Sequence, residues 1–400
     1  MTAEATPVAA PSLDQFRAEA ESFLSSRCQW RTTDGVRTED RYSLFRGSTS
    51  AEADAAREWQ RTVFDAGFGW ITGPAEYGGR GLPTQYERMY QAVERQFEIP
   101  SRAALGVSLG MVAPTLMEFG TAAAKARWAK AIHRGEIIGC QLFSEPGAGS
   151  DLAAVATRAS RTGDEWVVDG QKVWTSGAHY SELGLLLACS SDDVRHRNLT
   201  AFLVEMGSPG VEVRPLRQMT GGADFNEVFL TNVRVPDRHR LGQVGEGWQV
   251  AITTLMYERG AIGGAVGGGS GLFRMDALAR WLRARGCAGD PLVRQAYARV
   301  HAGVTAAKIM RERAEAGRRA GRPPGPEMSL AKLALVANLA TLENAVSTAL
   351  GPELVVDTGS FESFVWAEFV LGLPGMRLGG GTDEIQRNII ARRVLGLPAS

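Results

Sequence analysis

The hydrophobic pattern of this chain changes period twice, and that double change constrains the fold more than any other feature. Up to about Gly139 apolar residues recur at helical spacing. Ala53 to Phe68 (ADAAREWQRTVFDAGF) forms one such stretch and ends among glycines, the residues at which helices stop. Pro74 to Pro83 (PAEYGGRGLP) is a turn-rich connection, helical periodicity resumes from Tyr86, and Ala122 to Ile132 predicts another helix. Between Gly139 and about Leu241 short runs of Val, Leu, Phe and Trp alternate with Gly, Asp and Ser clusters, the pattern of strands and turns. Strands are predicted at Leu183–Ala188, Leu199–Glu205, Val211–Arg214 and Glu227–Val235, and Asp169-Gly170 within Glu165 to Ser176 predicts a type I′ hairpin. After Gly247 the pattern is helical again, interrupted at Ala320 to Pro326 (AGRPPGP). In the last helix Thr382 can cap the start, Asp383 and Glu384 suit its positive end, Arg392 and Arg393 suit its negative end, and Gly396 stops it.

A chain of 400 residues is longer than one hydrophobic core usually organises. The changes in pattern divide it into an N-terminal helical domain over residues 1–138, a middle β domain over 139–241 and a C-terminal helical domain over 242–400. The expected class is α+β.

Charge and composition narrow the function. Lys+Arg and Asp+Glu both number 44, a formal net charge of +0, so no global electrostatic footprint for nucleic acid or an anionic membrane is expected. The first residues lack a basic leader followed by an apolar core, and the longest strongly apolar run, Leu183 to Cys189, is short of the roughly 20 residues that span a bilayer. Cys28, Cys140, Cys189 and Cys287 are scattered without a CxxC pair, and the five histidines show no ligand spacing. The expectation is a cytoplasmic protein without a metal site or disulfide framework.

Four segments can carry chemistry, and each has a purely structural alternative. Gln141 to Asp151 (QLFSEPGAGSD) ends a strand in a tight Gly/Pro loop whose backbone N–H groups suit a polar ring edge or a phosphate; the alternative is an ordinary turn. Lys172 to Gly177 (KVWTSG) sets a Trp beside two hydroxyls, able to cover an aromatic cofactor; the alternative is core packing for Trp174. Glu258 and Arg259 are the only charged side chains between Glu246 and Arg274, in a Gly- and Ala-rich stretch where burying charge is costly; the alternative is a structural ion pair. Leu378 to Thr382 (LGGGT) lets a ligand approach the backbone closely, or is a flexible connection. A further cluster, Gly263 to Gly271 (GGAVGGGSG), lacks a preceding strand and suits close helix packing rather than phosphate binding.

Taken together, PAEYGGRG, LFSEPGAGSD, GQKVWTSGA, YERGAIGG and GGTDEIQRNIIARRVLGLP, in that order from about Leu13 to Leu397, resemble the acyl-CoA dehydrogenase family. The resemblance implies a helical N-terminal domain, a middle β-barrel and a C-terminal four-helix bundle, with FAD between the last two and a neighbouring subunit. It further implies that Gln141, Phe143 and Ser144 lie along the flavin ring, and that Trp174 and Ser176 cover the ring and bond its edge. Ser150 would approach both flavin and acyl-CoA, while Thr382 and Glu384 would contact the cofactor's diphosphate and adenosine. Ser347 and Gly351 match partner-subunit contacts, but the family's Arg-x-x-Phe-Gly element is missing and only Arg283 or Arg285 lies near it.

Many members place the catalytic glutamate in the turn before the last helix, where this chain has Gly380, which cannot abstract a proton. Others, including the isovaleryl type, place it on the bundle helix directly before an arginine, and that position here is Glu258, followed by Arg259. The resemblance therefore implies α,β-dehydrogenation of an acyl-CoA to the trans-2-enoyl-CoA, with Glu258 as base, hydride transfer to flavin N5, and Arg259, Gly380 and Gly381 lining the substrate site. It also implies a tetramer, electron-transfer flavoprotein as acceptor, and either CoA or an acyl-carrier protein as thioester carrier. Two alternatives keep the fold: a flavin monooxygenase, which does not need the glutamate, and one subunit of a mixed heterotetramer.

Overall fold

A computed structural model describes residues 10–31, 49–268, 275–319, 327–356 and 361–398. The first helices start on side-chain caps. Ser12 and Gln15 form a capping box at the head of α1 (Leu13–Ser25), and Thr49 and Glu52 form another at α2 (Ser50–Asp65). With α3 (Thr84–Glu94) they enclose an aromatic core in which Phe68 stacks on Tyr90 and meets Phe16 edge-on. The Pro74–Pro83 connection is a single 3₁₀ turn over Ala75–Tyr77, closed by Gly78 at a φ of 91°. A π turn over Ser108–Val112 leads into α4 (Ala113–Phe119), and α5 (Ala122–His133) follows.

The middle region is one eight-stranded sheet: β1 (Gly139–Leu142), β2 (Arg158–Thr162), β3 (Glu165–Ser176), β4 (Leu183–Cys189), β5 (Leu199–Glu205), β6 (Val211–Leu216), β7 (Phe225–Pro236) and β8 (Arg240–Leu241). The hydrogen-bonded order is β6-β7-β3-β2-β4-β5-β8, with β1 parallel to β4 off that path. The sheet curls. Trp166 of β3 and Phe202 of β5, three places apart in that order, have ring centroids 5.2 Å apart in a shared core. Strand alternation explains how both faces are buried. Leu186, Phe202 and Val204 point into the curled sheet, while Leu183, Leu185, Leu187 and Leu203 point out against α4, α5 and the start of α6 (Gly247–Gly268).

The Asp169-Gly170 hairpin does not form. β3 runs unbroken from Glu165 to Ser176, and the turn is at Gly163-Asp164, between the paired Thr162 and Glu165, with Gly163 at a φ of 64°. Asp169-Gly170 instead marks a register shift against β7. The Asp169 carboxylate accepts from the Asn232 N–H at 2.7 Å, and a Cβ on Gly170 would come 2.7 Å from that of Thr157. The glycine is there for close approach, not for a turn.

The C-terminal region holds α6, α7 (Met275–Ala284), α8 (Pro291–Arg319), α9 (Glu327–Leu350), α10 (Phe361–Leu378) and α11 (Asp383–Arg393). Leu278, Val300, Leu339, Val346, Trp366 and Phe369 from α7 to α10 share one core. The stretch Ser329–Val355 is long and apolar enough to cross a membrane by length and composition, longer than the Leu183 to Cys189 run. Several of its apolar residues, among them Leu339, Leu342 and Val346, are buried in the core that α7 to α10 share. Ala320 to Pro326 lies outside the described residues, as does the glycine cluster beyond Gly268, whose first part continues α6.

Candidate active site

The two segments expected to face the flavin are brought together at the ends of β1 and β3. Val173 N–H donates to Ser144 O at 2.9 Å, and the Lys172 ammonium donates to Phe143 O at 3.0 Å. Phe143 is buried, Gln141 and Ser144 are half-buried, and Ser176 is exposed. Just beyond Lys172 the β3–β7 register slips again, and Trp174 sits in the slip at a φ of 60°. A non-glycine residue there costs energy unless its surroundings hold it, and such strain gathers at functional sites. The constraint is visible: Asn226, buried, donates from Nδ2 to Thr175 O at 2.9 Å, and Gly177 N–H donates to Asp224 O at 2.9 Å. Trp174 is 61% exposed, touching Phe225 edge-on, while the neighbouring Thr175 is buried and its hydroxyl has no hydrogen-bond partner among the described residues. An exposed indole on a strained bulge, beside an unsatisfied buried hydroxyl, fits a flat aromatic cofactor with a polar edge. The structural alternative of core packing for Trp174 does not hold.

Past Ser144 the loop closes on itself through reciprocal backbone bonds between Glu145 and Ala148, both 3.0 Å. Gly147, Gly149 and Ser150 are exposed on its outer side. Phe143, Ala148 and Leu152 of this segment share a core with Val250 and Ala251 of α6, so the loop and the helix carrying Glu258 are packed on one another.

α6 is held in one rotational phase. Thr254 Oγ1 lies 2.9 Å from Thr115 Oγ1, and the Tyr257 hydroxyl donates to Glu118 at 2.5 Å. Both contacts advance by three residues on each helix, so α4 and α6 run in the same direction side by side. Burial, aided by the bond to Glu118, pushes the Tyr257 hydroxyl up to about 12. Glu258 is half-buried one turn beyond Thr254 on nearly the same face. Arg259 continues the helix, and its side chain lies outside the described residues.

The glycine turn before α11 is built tightly. Gly380 and Gly381 have φ of 68° and 87°, and the Gln386 amide, 0% exposed, donates to Gly380 O at 2.9 Å. Thr382 caps α11 by accepting from Ile385 N–H at 3.3 Å. Asp383 is buried against Arg377 at 3.0 Å and Lys332 at 3.5 Å, and burial pulls the Lys332 ammonium below its usual range. Glu384 is exposed and pairs with Arg387. The turn is therefore clamped rather than flexible.

Ser347 is half-buried on α9, and Gly351 is exposed just past its end at a φ of 53°. Arg285, at the end of α7, pairs with Glu353 and stacks over Trp281, whereas Arg283 points to solvent. The two parts of the expected partner contact thus converge on one surface, but Arg285 is already occupied within its own chain.

Several residues of the site escaped the sequence reading. Lys172 and Glu145 form a buried pair at 2.7 Å. Burial pulls Lys172 down to about 8 against the attraction of Glu145; burial would raise the Glu145 carboxyl, but the lysine charge and its hydrogen bonds hold it below the usual range. The available signal was strand parity, since Lys172 falls on the same alternation as the inward Trp166 and Val168. Asp224, whose carboxyl is pushed up to about 7 by burial and by Glu368, gave no signal because its neighbour comes from another domain.

Comparison with known proteins follows the same three-part division. Family models described as acyl-CoA dehydrogenase N-terminal, middle and C-terminal domains match residues 13–136, 140–233 and 245–395. The acyl-CoA dehydrogenase IpdE1 of Mycobacterium tuberculosis is 36% identical over 396 residues, covering 96% of this chain and 98% of its own. Among solved structures, the Tcur3481-Tcur3483 steroid ACAD superposes with a TM-score of 0.79 at 24% identity, covering 99% of this chain and 100% of that one. The ChsE4-ChsE5 complex from Mycobacterium tuberculosis gives a TM-score of 0.73 at 25% identity, with the same coverage. Three domain models in order and a relative this similar along nearly its whole length leave one conclusion: this chain belongs to the acyl-CoA dehydrogenase family, FAD-dependent oxidoreductases acting on acyl-CoA thioesters.

Proposed function

We propose that this enzyme dehydrogenates an acyl-CoA between its α and β carbons, with Glu258 as the base. The observation that carries this reading is the placement of Glu258: a half-buried carboxylate on a helix whose phase is pinned to α4 by Thr254 and Tyr257. A carboxylate oxygen of Glu258 takes the α proton, and Arg259 orients it or lines the substrate site. Backbone N–H donors near the thioester carbonyl stabilise the enolate-like charge that develops. Bound FAD supplies the acceptor for the β hydride at N5. Gln141, Phe143, Ser144, Trp174 and Ser176 hold and cover the flavin ring, Ser150 meets both cofactor and substrate, and Thr382 and Glu384 take the cofactor's polar end. A positioned base contributes about 10²–10⁴-fold. Glu258→Gln should remain yellow yet lose flavin bleaching by substrate on that scale, and full activity in this variant would discard the assignment.

A bulky acyl group is the favoured substrate class. Gly380 occupies the turn with no side chain, and one structural neighbour is named as a steroid ACAD. Loss of oxidised flavin absorbance across a panel of straight-chain, branched and ring-bearing acyl-CoAs tests this. Bleaching by straight chains alone would reject it.

A second reading is that the chain is one subunit of a mixed assembly. Two neighbours are named as pairs of chains, and Arg285, the nearest match to the missing partner contact, is tied to Glu353. The mass and flavin stoichiometry of the protein purified alone decide this: a tetramer with one FAD per chain supports the homomeric enzyme, and half occupancy supports a partner.

A further inference from the structure

The sheet is seamed where the flavin-facing segments meet. β2 and β4 share a single register pair, Arg158 with Cys189, so the β6-β7-β3-β2 half and the β1-β4-β5-β8 half part company beside it. A backbone carbonyl facing such a gap needs another donor, since a buried unpaired carbonyl is costly. The Lys172 ammonium fills the gap. It is 0% exposed and spends its three donors on Phe143 O at 3.0 Å, Leu187 O at 2.7 Å and Glu145 Oε1 at 2.7 Å. Glu145 in turn accepts from Ala156 N–H at 2.6 Å and Thr157 N–H at 3.0 Å, which ties down the far end of its loop. One buried ion pair thus joins the residue just past β1, strands β3 and β4, and the Glu145–Thr157 loop.

We infer that Lys172, with Glu145, is a positioning residue for the flavin: it sets the separation between the Phe143–Ser144 segment and the Trp174–Ser176 bulge. A buried ion pair is weak as a source of stability, since hydrophobic replacement is often neutral. What it supplies here is geometry, with fixed contacts on both sides of the seam two residues from Trp174. This inference rests on the reading of those two segments as flavin-facing.

The test uses purified full-length holoenzyme and two readouts besides turnover: release of fluorescent FAD on dilution, and the visible circular dichroism of the bound flavin. Lys172→Met should release FAD with roughly tenfold or greater loss of affinity, the scale of a lost hydrogen bond to a charged group, and should change the flavin dichroism. Glu145→Gln, which keeps the lysine and an acceptor for the loop, should shift both readouts in the same direction by less. Parent-like FAD retention and dichroism in both variants, even with a lowered melting temperature, would overturn the inference. Should Lys172→Met fail to fold, Glu145→Gln decides alone, and parent-like readouts in it overturn the inference. Trp174→Phe separates the two levels. If it leaves both readouts unchanged, the flavin placement itself is wrong; if it changes them while the Lys172 and Glu145 variants do not, only the positioning role falls.

Discussion

The hydroxyls of Thr115 and Thr254 lie 2.9 Å apart, both fully buried, and join α4 to α6 one helical turn before Glu258. Each hydroxyl also lies within bonding distance of its own i−4 carbonyl, Met111 O at 2.7 Å and Val250 O at 2.8 Å, so two protons serve three contacts. Thr254→Val removes one hydroxyl without a cavity and leaves Thr115 bonded to Met111. The expected cost is about 1 kcal/mol by denaturant unfolding. Flavin bleaching should slow as the phase of α6 relaxes, and an unchanged rate would mean that Glu258 is placed by other contacts.

Asp383 answers two cations at the start of α11. Asp383→Ala would leave Lys332 buried without its counter-charge, while Arg377 is exposed enough to find water. Breaking a buried pair from one side costs about 3–5 kcal/mol, and the half-wet setting places this case near the lower figure. Chemical denaturation measures it. A loss below about 1 kcal/mol would show that the cluster behaves as a surface pair.

Gly381 cannot be replaced without strain. Its φ is 87°, and an added Cβ would stand 2.7 Å from Gln386 Nε2, the atom that holds the turn. Gly381→Ala should lose about 1–2 kcal/mol from the backbone alone. It should also loosen FAD, because Thr382, which we propose holds the cofactor, follows directly. Thermal melts and FAD retention check the two effects separately, and parent-like values for both would mean that the turn relaxes freely.

Asp224 predicts a pH dependence. Its folded carboxyl is raised to about 7 by burial first and by Glu368 second, whereas an unfolded aspartate titrates near 3.8. Between those values the folded state holds a proton that the unfolded state has released, so this contribution is fully present below the lower value and fades as pH rises through the higher one. Asp224→Asn should therefore raise the melting temperature at pH 8 and flatten its fall between pH 5 and 8. An identical slope in the variant would show that Asp224 is ionised throughout.

The outline of the molecule was legible because local chemistry dictates it. Short apolar runs bounded by turn residues located β4 and β5 to within a residue, and Thr382, the acidic first turn and Gly396 bracketed α11. The Asp169-Gly170 hairpin was misread because the same dipeptide serves a turn or a bulge, and only the facing strand β7 and the approach of Thr157 decide which. Glu258 and Trp174 stood out as residues ill-suited to their surroundings, charge in an apolar helix and an indole beside hydroxyls.

By itself the sequence determined the order of helical, strand and helical regions, the bounds of the plainest elements, and which few side chains are out of keeping, since those follow from spacing and residue type along the chain. The tertiary structure alone decided that Trp174 is strained outward rather than packed, that Lys172 bridges a seam in the sheet, and that Thr115 sets the phase of the helix carrying Glu258. Each of those depends on atoms far apart in the chain meeting within a few ångströms, and no local pattern encodes such a distance.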